Sequence, residues 1–203
     1  MDALMRLIIY GTLSLLALIL GIDTHIGSGL ATSESSAVAD MIAVLDDSGL
    51  RSDAHMARSV LRSSRFRKSR FFDWLNAFSE ARGYDFAFYA YTPILSSRRV
   101  FLGDNYWRQD AYGRASVTVH ELAHVRRHER RAMRGIPRSS DEVEAYRYQY
   151  QTYRAIGIGS YGIGSDVYWD MMYGIRDYVV PAYPEYAERK DVAEALYVMR
   201  LAE

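Results

Sequence analysis

Thr118-Val119-His120-Glu121-Leu122-Ala123-His124 is the stretch on which the reading of this chain turns. It carries the pattern H-E-x-x-H inside a run of helical character from about Tyr112 to Met133. On a helix, residues i and i+4 share a face, so His120 and His124 can turn two imidazoles towards one metal ion. Glu121 follows His120 directly, where a carboxylate can hold and deprotonate a water on the metal. The pattern predicts a metal-bearing helix around which the rest of the domain is built.

Two histidines leave a zinc site one protein ligand short. The chain has no cysteine, so that ligand must be His, Asp or Glu. His128 lies one turn beyond His124, but a straight helix rises about 12 Å over eight residues, too far for His120 and His128 to share an ion. His25 and His55 are remote in sequence. The acidic pair Glu142 and Glu144 opens the next helix, read from Ser139 to about Ile156. Packed antiparallel, that helix can bring a carboxylate to the ion. Residues two apart on a helix point about 200° apart, so the two glutamates cannot both face it easily. Each has a competing role: Ser139-x-x-Glu142 and Asp141-x-x-Glu144 both read as capping boxes. Tyr146, Tyr150 and Tyr153 share one face of the same helix, the usual mark of a core face.

Upstream, Ala37 to Leu45 reads as a helix ended by Asp46-Asp-Ser-Gly49, and Ser52-Asp53 as the cap of a second helix to about Leu61. A third is expected from about Phe71 to Ala81. The basic cluster Arg62, Arg65, Arg67, Lys68 and Arg70 between them reads as a solvated surface or a contact with anionic lipid. Tyr84–Tyr91 and Arg99–Leu102 are rich in β-formers, with a turn from Pro93 to Arg98. Arg126, Arg127, Arg130, Arg131 and Arg134 mark a solvated end of the H-E-x-x-H helix. Gly157 to Gly162 contains G-x-G-x-x-G, but a helix precedes it where a dinucleotide site needs a strand, so it reads as a loop. Asp166–Val179 and Glu185–Leu201 read as two amphipathic helices split by Pro181 and Pro184. The expected class is α+β, mainly helical, with a small antiparallel sheet packed on the H-E-x-x-H helix.

Residues 7–22 form an uncharged apolar run behind Arg6, about 24 Å long as a helix and a little short of a bilayer core. Residues 1–31 therefore read as a signal peptide or N-terminal membrane anchor, Thr32–Ser36 as a polar linker, and 32–203 as a single domain outside the cytoplasm. With 25 basic and 25 acidic residues the formal net charge is zero, which argues against nucleic acid as a partner.

His120-Glu-Leu-Ala-His124 and Glu142-Val-Glu-Ala-Tyr146 resemble the two motifs of the gluzincin zinc metallopeptidases, and the resemblance covers roughly residues 86 to 156. It implies zinc as cofactor, His120, His124 and one glutamate as ligands, and Glu121 as general base. The family's E-x-x-A-D context favours Glu142 over Glu144. Tyr146 stands where many relatives carry an aspartate that braces a histidine ligand, leaving a phenol as the bracing group. The strand Arg99, Val100, Phe101 and Leu102 would then lie along the cleft and pair with an extended peptide substrate. The implied reaction is hydrolysis of a peptide or protein at a zinc-polarised carbonyl. The alternative from another class is a non-catalytic, peptidase-like subunit of a membrane-associated assembly.

Overall fold

The computed structural model describes residues 29–68, 87–92, 97–131, 139–157 and 166–202. The apolar run at 7–22, the helix expected at 71–81, the turn after Pro93 and most of the glycine-rich loop lie outside them.

Two helices open the described chain, α1 (Thr32–Asp47) and α2 (Arg51–Arg62). Val38, Met41, Ile42 and Leu45 of α1 recur at helical spacing and are buried. The polar linker expected at Thr32–Ser36 is instead the first turn of α1. Its polarity suits an exposed helix start: the Glu34 carboxylate accepts the Ala31 amide at 2.8 Å and sits where the helix dipole favours an anion. Gly49 turns the chain at φ +76, a conformation that favours glycine. Ser52 and Asp53 do not cap α2, whose first turn begins at Arg51.

Three strands follow: β1 (Phe66–Lys68), β2 (Ala87–Thr92) and β3 (Ser97–Leu102). Their spatial order is β1-β3-β2. β3 pairs in parallel with β1, Phe66 opposite Val100, and antiparallel with β2, Ala87 opposite Leu102. The antiparallel sheet expected from the sequence is thus corrected to one containing a parallel pair. Part of the basic cluster became a strand, because Phe66 could be buried there while its charged neighbours found partners. Arg65 reaches Glu129 at 3.5 Å, and Lys68 reaches Glu34 at 3.4 Å.

A short helix α3 (Asp104–Arg108) leads into α4 (Ala111–Arg131), the H-E-x-x-H helix. α4 packs against α1, α2, α3, β2 and the next helix α5 (Ser139–Ile156). Covered on so many sides, it buries every residue from Ala115 to Val119 and from Glu121 to Val125. Tyr106 of α3 is fully buried and its hydroxyl hydrogen-bonds Thr118 at 3.0 Å, which ties α4 down two residues before His120. Arg126 and Arg127, expected at a solvated end, pair tightly with Asp53 of α2 and Asp141 of α5.

The C-terminal part packs over α5. It runs through α6 (Asp166–Gly174), a π-helical turn (Ile175–Val179), the single turn α7 (Val180–Ala182), a 3-10 turn (Pro184–Glu188) and α8 (Lys190–Ala202). The regular helix expected over Asp166–Val179 is therefore interrupted after Gly174, and α5 lies directly against the π turn.

Candidate metal centre

His120 and His124 lie one turn apart on α4, and their Nε2 atoms approach to 3.2 Å. Glu142, in the first turn of α5, brings Oε2 within 3.3 Å of the His120 Nε2 and Oε1 within 3.5 Å of the His124 Nε2. The three side chains are mostly buried, and their donor atoms all lie within 4.8 Å of one another. A tetrahedral zinc ion with bonds of about 2.0–2.1 Å holds its ligand atoms about 3.3 Å apart. The two nitrogens and the carboxylate already stand at that spacing.

The hydrogen bonding of His120 adds a chemical argument. Gln149, 1% exposed, presents its Oε1 to the His120 Nδ1 at 3.1 Å. An acceptor there holds the proton on Nδ1, which donates to it, and leaves the Nε2 lone pair facing His124 and Glu142. Lone pairs and a carboxylate converge in this way around a cation, either a proton or a metal ion. Burial alone would raise the Glu142 carboxyl, but in the metal-free protein His120 and His124, when a second proton sits on Nε2, donate to it and attract it strongly enough to outweigh burial and hold it at about 2. The site therefore keeps its negative charge across the neutral range.

The other expected residues fall in different places. Glu144 turns to Arg147 at 2.9 Å, with the Tyr183 hydroxyl at 3.5 Å, and is not among the converging donors. Glu121, the residue after His120 on α4, is 4% exposed and is not one of the converging donors. His128 is buried further along α4 and His55 is exposed on α2; neither joins the group.

Tyr146 does approach His120, but through its ring. The centroids are 4.5 Å apart at 73°, an edge-on contact. The hydrogen bond that fixes the His120 tautomer comes from Gln149 instead, which the sequence reading missed. Its signal was the spacing Glu142, Tyr146, Gln149, which places all three on one face of α5. Burial first, then Asp170, Glu142, Tyr178 and Glu121, push the Tyr146 hydroxyl well above its ordinary range, so it stays protonated.

One expectation for the site is overturned. Arg99, Val100, Phe101 and Leu102 were expected to pair with a substrate, but β3 is the central strand. Val100 and Leu102 face partners on both sides, and Val100, Phe101 and Leu102 are buried. A strand with both edges engaged has no row of amides left for a peptide.

No protein-family model, curated protein or solved structure matches this chain. The residues themselves define the site: a helix-borne His-His-Glu cluster, with the buried Glu121 next in sequence to His120.

Proposed function

We propose that the domain is a zinc-dependent metallopeptidase of gluzincin type. The observation that carries this reading is the convergence of the His120 Nε2, the His124 Nε2 and the Glu142 carboxylate at 3.2, 3.3 and 3.5 Å. Two imidazoles and one carboxylate are a donor set that zinc accepts, and three protein ligands leave a fourth position open for chemistry. A zinc ion held there supplies a Lewis acid that acidifies water and polarises a carbonyl.

The chain's own residues supply the rest. Glu121 takes the proton of the attacking water and returns it to the leaving amine, a role open to a buried carboxylate adjacent to a ligand. Gln149 and Tyr146 hold His120 in place. Among the described strands, β2 rather than β3 lies at the sheet margin beside α4, and it is the one we assign to an extended peptide substrate. The apolar run at 7–22 supports an exported or membrane-anchored location; no described helix is long and apolar enough to cross a membrane.

Glu121→Gln tests the assignment. It leaves the metal donors intact, so the variant keeps its zinc while hydrolysis of a diverse peptide library falls by about 100-fold or more. Full activity in the variant contradicts the role of Glu121. A zinc-loaded wild type that cuts no peptide favours a non-catalytic subunit.

A further inference from the structure

The contact between His120 and Tyr146 is itself held from outside, by a part of the chain far along the sequence. Gly174 ends α6 with φ −63 and ψ −36, ordinary right-handed helix that any residue adopts. Its backbone does not require glycine. Its surroundings do: a Cβ built there would lie 2.1 Å from Cε1 and 2.2 Å from Cζ of the Tyr146 ring. Real Cβ atoms do not come so close to a neighbour, so any other residue must displace the ring.

The ring has little room to move. One side lies edge-on to His120. Another is covered by Tyr178, whose ring stacks at 5.7 Å with an interplanar angle of 8°. Tyr178 belongs to the π turn that starts directly after Gly174. Such a turn inserts one residue into the helical repeat and re-aims the side chains that follow, and turns of this kind cluster at functional sites.

We propose that Gly174 and Tyr178 form a seat for the Tyr146 ring, and that this seat is a positioning device for His120 as a metal ligand. The proposal rests on the zinc reading only for its consequence; the seat exists in the metal-free protein. Gln149 fixes the His120 ring by its nitrogen, and Tyr146 limits the rotation that this single hydrogen bond leaves free. Groups that orient a ligand in this way typically govern metal affinity by about 10- to 100-fold.

Replacing a mid-helix glycine by alanine ordinarily strengthens a helix. Gly174→Ala is expected to do the opposite at the site: zinc affinity, read by chelator competition, falls about 10-fold or more, and the visible bands of the cobalt(II)-loaded protein change. In a Tyr146→Ala background the same substitution adds less than about a 2-fold loss, because no ring is left to displace. Tyr178→Leu gives a smaller loss in the same direction and serves if Gly174→Ala does not fold. The metal-free protein is read by the NMR shifts of the His120 ring protons, which the Tyr146 ring displaces and Gly174→Ala moves. If those shifts move but wild type binds no zinc, the seat stands and the metallopeptidase reading fails. Unchanged shifts in Gly174→Ala, wild-type zinc affinity in that variant, or an equal loss in both backgrounds overturns the seat.

Discussion

Glu142 on α5 sets its Oε2 3.3 Å from the Nε2 of His120 on α4. That pairing joins the first turn of one helix to the middle of another. It depends on how the two helices pack, and one clamp between them is the ion pair between Arg127 and Asp141, the residue just before Glu142.

Removing one partner of that clamp should weaken both the fold and the site. A wholly buried pair costs about 3–5 kcal/mol to break, and Arg127 keeps some solvent, so about 2 kcal/mol is expected for Asp141→Ala. Thermal unfolding of the metal-free protein measures it. A change within about 0.5 kcal/mol would show that α5 is held in register by other contacts.

The two glutamates of α5 should separate cleanly. Glu142→Gln removes a converging donor and is expected to strip the zinc. Glu144→Gln breaks a partly exposed pair with Arg147, worth about 0.2–1 kcal/mol, and should leave zinc affinity within a few-fold of wild type. If Glu144→Gln strips the zinc and Glu142→Gln does not, the third ligand is Glu144.

Gln149→Leu keeps the volume roughly constant but leaves the His120 Nδ1–H without its acceptor. Zinc affinity should fall about 10- to 100-fold, with activity restored at high zinc. Calorimetric titration reads this directly. An unchanged affinity would mean that the amide does not set the tautomer.

Acid should destabilise the metal-free protein in a defined window. The Glu142 carboxyl titrates at about 2 in the fold against 4.5 for the unfolded reference. Its depressed value contributes stability that is fully present above about pH 4.5 and is lost as pH falls towards 2. Glu142→Gln should flatten that part of the stability profile. A parallel acid profile in the variant would contradict the charge assigned to this carboxylate.

Much of the centre was legible because it depends on local geometry. His120 and His124 follow from helical periodicity; a second helix packed alongside offered Glu142 or Glu144, and only the resemblance to the gluzincin motif favoured Glu142. Gln149 shares the face of Glu142 and Tyr146, but three tyrosines made that side of α5 read as core. β1 was hidden because three residues inside an arginine cluster carry no alternating pattern. The central place of β3 could not be read either, since strand order in a sheet is set by tertiary pairing. Gly174 and Tyr178 lay furthest from reach. Their meaning comes from a close approach to Tyr146, and nothing local in the sequence marks it.

The zinc content of the purified chain tests the account most directly. Elemental analysis should find about one zinc per chain in the wild type and almost none in His120→Ala or His124→Ala, because two remaining ligands seldom retain the ion. Equal zinc in all three proteins, or none in the wild type after incubation with zinc, would contradict the metal centre.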